Sequence, residues 1–136
     1  MTTPSPSATS LAPGARLGPH EIVSWLGAGG MGEVYRARDT RLGRDVAIKV
    51  IAFDVSSDPD RLRRFEQEAR AVAALNHPSI LSVYDMGTEA GAPYVVFELL
   101  EGQSLRQRLE RGAVPARKSV DWAAEVARTS ACRPER

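Results

Sequence analysis

Between residues 20 and 100, apolar and polar residues alternate with the period of β-strands, apart from one stretch of helical period. The alternation predicts five strands. The first contains Ile22, Trp25 and Leu26, and the other four lie at 33–38, 45–52, 80–84 and 94–100. The polar residues 39–43 join the second and third strands as a hairpin turn, and residues 87–93 form a second, longer turn.

The helical stretch has its own start and stop signals. Asp58 and Pro59 are typical of a helix cap and first turn, and Pro78 ends the helix because the residue before proline avoids helical geometry. Between them the apolar residues recur at three- and four-residue steps, at Leu62, Phe65, Ala69, Val72 and Ala73. After Gly102 the helical period returns at 105–109 and 120–127, and it is lost over residues 129–136.

Composition divides the chain and limits its partners. Residues 1–18 are rich in Pro, Ser, Thr and Ala, which predicts a disordered leader ahead of one domain at 19–100 and helices at 101–136. With 136 residues, 43% hydrophobic and 26% charged, the chain has the composition of a globular protein. A formal net charge of +1 gives no support for nucleic-acid binding. We expect a cytoplasmic protein without a signal peptide or membrane segment.

One cysteine and two distant histidines leave no metal-ligand cluster in the sequence. Cys132 has no partner for an internal disulfide, and His20 and His77 lie too far apart for a typical zinc spacing. We therefore expect no metal site built by this chain.

A glycine-rich segment, Leu-Gly-Ala-Gly-Gly-Met-Gly-Glu-Val at 26–34, carries the main chemical signal. Gly27 and Gly29 lack Cβ atoms, so backbone amides can approach phosphate oxygens, and Gly32 permits the return into the next strand. A flexible hairpin turn is the simpler interpretation. The dinucleotide fingerprint is excluded because a strand, and not a helix, is predicted after Gly32.

Lys49 follows this loop in Val-Ala-Ile-Lys, a strand in which Ala47 and Lys49 share a face. The small side chain leaves room for a flat base beside the ammonium. Glu68 lies on the edge of the helical stripe, where it can pair with Lys49 and hold it toward a phosphate. The alternative is that Lys49 and Glu68 are solvated surface groups.

Residues 94–102 are either a core strand or an edge that binds a base. In the second case the exposed backbone at Glu98 and Leu100 hydrogen-bonds an adenine, and Phe97 closes the back of that pocket.

Several motifs in this order resemble the small lobe and hinge of a protein kinase, most closely the bacterial Ser/Thr kinases of the eukaryotic type. They are the glycine segment, Val-Ala-Ile-Lys at 46–49, Phe-Glu-Gln-Glu-Ala at 65–69, His-Pro-Ser-Ile at 77–80 and Phe-Glu-Leu-Leu-Glu-Gly at 97–102. The resemblance covers about residues 20–109. It implies an α+β fold: a five-stranded antiparallel sheet with one packed helix, then the start of the helical large lobe.

The resemblance also implies a role for each matching residue. ATP would be the cofactor, with Lys49 on its α- and β-phosphates, Glu68 orienting Lys49 and Phe97 as the gatekeeper. The residues implied in nucleotide binding are Leu26, Gly27, Ala28, Gly29, Gly30, Met31, Gly32, Glu33, Val34, Ala47, Lys49, Phe97, Glu98 and Leu100. His77 would be structural, and a protein hydroxyl would be the substrate of an intact kinase.

The resemblance stops before the catalytic motifs. The chain contains neither His-Arg-Asp nor Asp-Phe-Gly, which supply the base and the ligands of Mg²⁺ in an intact kinase. Asp121 has no asparagine five residues later, and Asp85 begins a look-alike tripeptide that precedes the hinge. We therefore expect this chain alone to be inactive, and a shifted or interrupted reading frame is the favoured hypothesis for its end.

Three functional classes follow. The chain is the ATP-binding lobe of a Ser/Thr kinase, or a noncatalytic module that binds another protein through its helix and open sheet. An unrelated enzyme using Asp85 or Asp121 lacks a paired acid, base or nucleophile. In either of the first two classes an uncovered apolar face favours self-association.

Overall fold

The computed structural model describes residues 10–29, 32–52 and 57–132. One antiparallel sheet with spatial order β1-β2-β3-β4-β6-β5 forms its body. The strands in chain order are β1 (Arg16–Leu17), β2 (His20–Gly29), β3 (Gly32–Asp39), β4 (Arg44–Ile51), β5 (Val83–Glu89) and β6 (Ala92–Glu98). The helices are α1 (Pro59–Ala73), α2 (Leu105–Leu109) and α3 (Ala116–Ser130).

The sheet has six strands where the sequence predicted five. The additional strand is β1, which turns at Gly18 (φ 56°) and pairs Leu17 with His20. The predicted disordered leader is therefore wrong for residues 10–18, while residues 1–9 lie outside the described part. The proline-rich composition of residues 1–18 predicted disorder, but the side chains of Leu11, Ala15 and Leu17 pack in or against the core.

Two hairpins set the register of the sheet. Between β3 and β4 the buried Asp39 carboxylate accepts hydrogen bonds from the backbone N–H groups of Arg41 (2.9 Å) and Leu42 (3.0 Å), which confirms the predicted turn. Between β5 and β6, Ala90 (φ 49°) and Gly91 (φ 79°) form a two-residue turn. Because left-handed geometry at both positions matches strand twist, β5 and β6 extend into residues that had been predicted as loop.

The predicted helix is present as α1. The Asp58 side chain accepts a hydrogen bond from the Arg61 N–H (3.0 Å), so this cap starts the helix where the sequence indicated. Ala69 is buried, while Leu62 and Phe65 are half-buried and line a small cleft with Met86 of β5. The helix ends at Ala73, a few residues before the proline that was expected to stop it.

The main core cluster lies on one face of the sheet, while Val95 and Ile51 are buried on the other. Alternate residues of the central strands point into this cluster, as a period of two requires. The buried members are Leu17, Ile22, Tyr35, Ala37, Val46, Ile48, Tyr94 and Val96.

The C-terminal helices bury almost nothing. Neither α2 nor α3 contains a buried residue, and the large apolar side chains left exposed include Leu105, Val120 and Val126. The helical period was predicted to be lost from residue 129, and helix α3 extends two residues further, to Ser130. It meets the α1–β5 connection where the Ser79 hydroxyl donates to the Glu125 carboxylate (2.5 Å). In the described residues every helix is too short or too polar to cross a bilayer.

Candidate nucleotide site

The strand register collects the predicted site residues in two adjacent rows. Val34 of β3 lies opposite Lys49 of β4, and Lys49 lies opposite Val95 of β6. In the next row Ala47 lies opposite Phe97. Directly opposite residues of an antiparallel sheet share a face, with Cβ atoms about 5 Å apart. Val34, Ala47, Lys49 and Phe97 therefore form one continuous surface.

This surface is the face of the sheet opposite the core. Ile48 alternates with Ala47 and Lys49 and is fully buried in the core, whereas Ala47 and Lys49 are half-buried. A half-buried lysine bordered by the apolar side chains of Val34 and Ala47 suits an anionic ligand with a flat apolar part.

The described glycines of the loop differ in why they are glycine. At Gly27 and Gly29 an added Cβ would meet no atom within 4 Å, and neither residue has a positive φ. At Gly32 the added Cβ would lie 1.9 Å from the Val50 carbonyl oxygen. The fold thus requires glycine at 32 only, and the open space beside the other two fits a ligand that approaches the backbone.

Four further predicted loop residues have different outcomes. Gly30 and Met31 lie outside the described residues, and Ala28 is exposed opposite Glu33. The predicted nucleotide-binding role of Glu33 is corrected for its side chain, which hydrogen-bonds Ser10 and the core residue Tyr35 instead. Alternation explains this result: if Val34 and Lys49 share one face, Glu33 must take the other.

The predicted ion pair between Lys49 and Glu68 does not form in this structure. Glu68 is exposed, and among the ion pairs of the described residues none joins it to Lys49. The apolar side of α1 lies against β5, two strands away from β4 in the sheet. The helix is in place, but the side chain of Glu68 has not been brought to the lysine.

The hinge residues are placed at the exit of β6. Glu98 ends the strand, and its backbone N–H donates to the Ser82 carbonyl (2.9 Å). Leu100 is 67% exposed and takes part in none of the backbone hydrogen bonds that the described turns and loops make. Leu26 at the other side of the face is 49% exposed. Leu100 is thus an exposed residue whose backbone groups join none of those hydrogen bonds.

A charged cluster borders the same face and was missed from the sequence. Arg36, opposite Ala47, donates to the Asp45 carboxylate (2.6 Å), as does Arg38 (3.0 Å), and Glu101 lies 3.8 Å from Arg36. These hydrogen bonds, with Arg36 the larger contributor and then Arg38, hold the pKa of Asp45 below its ordinary value. The sequence could have predicted this ion pair, because Arg36 and Asp45 have opposite charges and lie on the same face of two neighbouring predicted strands.

The aspartates outside the site are not assembled into a metal centre. Asp85 lies in β5, where its carboxylate is 3.9 Å from Arg41, and Asp121 is an exposed residue of α3. In the part of the chain that the structure describes, no three His, Cys, Asp or Glu side chains come together. Neither Asp85 nor Asp121 therefore belongs to a described cluster that could hold a metal ion with protein ligands alone.

The sequence and the fold both have clear relatives. A family model described as the protein kinase domain matches residues 20–131. The chain belongs to this family.

Among curated relatives, the serine/threonine-protein kinase PknB of Mycobacterium leprae is 46% identical over 112 residues, covering 79% of this chain and 18% of PknB. The serine/threonine-protein kinase PrkC of Bacillus subtilis is 43% identical over 90 residues, covering 66% of this chain and 14% of PrkC. The expected kinship with bacterial Ser/Thr kinases of the eukaryotic type is confirmed, and the chain spans less than a fifth of these relatives.

Solved kinase structures match the fold. The kinase domain of Mycobacterium tuberculosis PknI superposes with a TM-score of 0.77 at 28% identity, over 88% of this chain and 49% of that domain. The kinase small lobe is thus confirmed, with the strand count corrected. Protein kinases in general use ATP, Mg²⁺ and protein substrates.

Proposed function

We propose that this chain is the ATP-binding lobe of a Ser/Thr protein kinase and that its nucleotide site is the sheet face carrying Lys49. The observation that carries the proposal is the register, which aligns Val34, Lys49, Ala47 and Phe97 on one face. Val34 and Ala47 would hold the adenine together with Leu26, and the Leu100 backbone would bond its edge. Gly27 and Gly29 would admit the phosphates.

Within this proposal Lys49 neutralises phosphate charge and Glu68 orients it. The missing contact between them means that α1 must move its carboxylate toward β4 when the site is complete. Because such a step depends on the weak packing of α1, the nucleotide itself or an adjoining lobe would have to stabilise the closed position. ATP supplies the transferable phosphoryl group; the residues described here only bind and orient it.

We further propose that the 136 residues on their own do not transfer phosphate. General base catalysis contributes about 10²- to 10⁴-fold, and a catalytic metal contributes several kcal/mol. Neither has its residues in this sequence. We expect ATP to bind with a Kd weaker than about 1 mM, near −4 kcal/mol, because one face of the adenine has no described cover. Micromolar affinity, measured by titration calorimetry, would contradict this.

The lysine content of the chain provides a sharp test of the site. The sequence contains two lysines, Lys49 and Lys118, and Lys118 lies 5.4 Å from the centre of the Trp122 ring in α3. An acyl-phosphate derivative of ATP should acylate Lys49 more than Lys118, and ATP at about 10 mM or more, above the expected Kd, should suppress only the first. Mass spectrometry of the digested protein gives both yields in one sample. Equal, ATP-insensitive labelling of the two lysines would refute the proposed site.

The exposed apolar side of α2 and α3 supports a second property, self-association. Leu105, Trp122 and Val126 line a cavity of about 570 Å³ between these helices, and Val126 is 64% exposed. Apolar surface of this kind is usually covered in the working protein.

We also propose that this chain acts in the cytoplasm, where a lobe that binds ATP would find its ligand.

A further inference from the structure

The carboxylate of Glu33 is tied to a segment that precedes the sheet. The Ser10 hydroxyl lies 2.7 Å from Oε1 and 2.8 Å from Oε2 of Glu33. The Tyr35 hydroxyl also donates to Oε2. A carboxylate that accepts hydrogen bonds makes stronger contacts than a neutral acceptor, so this is a firm attachment.

Tyr35 links the same carboxylate to the backbone of that segment. Its ring is buried in the core at 1% exposure, and its hydroxyl oxygen accepts the Leu11 N–H at 2.9 Å. Burial, and next the hydrogen bond with Glu33, raise the pKa of Tyr35. The phenol therefore stays protonated at neutral pH and continues to donate.

Residues 10–17, here called the strap, are attached at more than this point. The Gly14 N–H donates to the Ile22 carbonyl and the Ile22 N–H to the Ala15 carbonyl, each at 2.8 Å. Leu17 is part of the core, and Leu11 and Ala15 pack against it. The strap thus has a fixed position over the face of the sheet that does not carry Lys49.

Glu33 is placed where this attachment reaches the glycine loop. It follows Gly32, which pairs with Gly29, and it pairs with Ala28 itself. Gly32 in turn lies against the backbone of β4 at Val50. Any displacement of Glu33 therefore shifts both sides of the loop base.

We propose that Ser10 and Glu33 are positioning residues, through which the strap holds the glycine loop over the nucleotide face from the other side of the sheet. This proposal rests on the function proposed above, since it assigns the loop a ligand. The simpler alternative is that the strap only covers apolar core, in which case removing one hydroxyl would affect the whole sheet or nothing.

Amide hydrogen exchange of the full chain without nucleotide separates the two. In Ser10→Ala we expect the amides of Gly27, Gly29 and Val34 to exchange about tenfold faster, equivalent to about 1.4 kcal/mol, while the β5–β6 hairpin is unchanged. Ser10→Thr keeps the hydroxyl and should restore slow exchange. Glu33→Gln should resemble Ser10→Ala, and the double variant should add little, because both changes break one network.

Thr40→Val is the matched control. Thr40 also donates its hydroxyl across the sheet, to the Pro19 carbonyl at 2.7 Å, but it follows the far end of β3. Its removal should speed exchange near residues 39–43 and leave the loop amides as they were. If Ser10→Ala leaves the loop amides unchanged, or speeds exchange evenly across the sheet, the strap is only a cover and the proposal fails.

Labelling of Lys49 by the acyl-phosphate derivative of ATP tests the link to the nucleotide. We expect Ser10→Ala to lower the ATP-sensitive labelling of Lys49 severalfold without changing Lys118, and Thr40→Val to change neither. Unchanged labelling in a variant whose loop exchanges faster would overturn the positioning role. If the wild-type chain shows no ATP-sensitive labelling, the proposed function fails, while the exchange data still decide whether the strap holds the loop.

Discussion

Replacing the three described glycines of the loop by alanine, one at a time, should separate glycine needed for folding from glycine needed for ligand. In Gly32→Ala the new Cβ would lie 1.9 Å from the Val50 carbonyl oxygen, whereas Cβ contacts under 3.0 Å are essentially never seen. One strand must therefore retreat by about 1 Å or more to reach that limit. In Gly27→Ala and Gly29→Ala the new Cβ meets no protein atom within 4 Å.

The expected changes in the free energy of unfolding differ in sign. Overpacking of a well-packed site costs about 1–3 kcal/mol, and a backbone oxygen in a strand ladder cannot rotate away, so we expect about 3 kcal/mol for Gly32→Ala. For a chain of 136 residues each kcal/mol moves Tm by about 3–5 °C, which gives a fall of about 9–15 °C. At Gly27 and Gly29 alanine reduces the entropy of the unfolded chain, so stability should rise by up to about 1 kcal/mol.

Thermal unfolding followed by circular dichroism measures the first effect, and ATP-sensitive labelling of Lys49 measures the second. Gly32→Ala should lower Tm, whereas Gly27→Ala and Gly29→Ala should leave Tm unchanged or raise it slightly while reducing labelling. Gly14→Ala serves as a control, because it has a positive φ (89°) but no atom within 4 Å of the added Cβ. Its cost should come from backbone strain alone and amount to about 1 kcal/mol.

Two outcomes would refute this reasoning. An unchanged Tm in Gly32→Ala would mean that the contact with Val50 is not held in solution. A large loss of stability in Gly27→Ala or Gly29→Ala would mean that these residues are glycine for a folding reason that the geometry does not contain.

Three further predictions concern charge and surface. Lys49→Met should abolish ATP-sensitive acylation but shift stability by no more than about 0.5 kcal/mol, because Lys49 joins no ion pair of the described residues; a large fall in Tm would argue for a structural lysine. The pKa of Asp39 is lowered chiefly by the hydrogen bond from the Leu42 N–H. The ionised carboxylate therefore stabilises the folded chain above the ordinary carboxyl pKa, and this contribution is lost as the pH falls through the pKa of the folded state. Asp39→Asn should flatten the decrease in Tm between about pH 5 and 3, and an unchanged slope would contradict this. Val126→Glu should reduce light scattering by the purified chain at constant Tm, since Val126 is 64% exposed, and undiminished scattering would exclude this face from self-association.

Local sequence signals determined most of the elements. Asp58 and Pro59 marked the start of α1, and the polar turn after Asp39 marked the β3–β4 hairpin, because caps and tight turns depend on residues adjacent in sequence. The kinase motifs identified the family, which the comparison with known proteins confirmed. Errors fell where the deciding partner is distant, as for residues 10–18, whose order depends on contacts with β2 and β3.

The same distinction applies to the site. The order of motifs along the chain predicted that a glycine loop, Lys49 and Phe97 belong to one nucleotide site, and period-two alternation was sufficient to place Ala47 beside Lys49. Only the folded chain decided that Glu33 serves the strap and that Glu68 lies away from Lys49. The physical reason is that a sequence fixes which face of its own element a side chain takes, while the distance between two elements depends on packing that the whole chain determines.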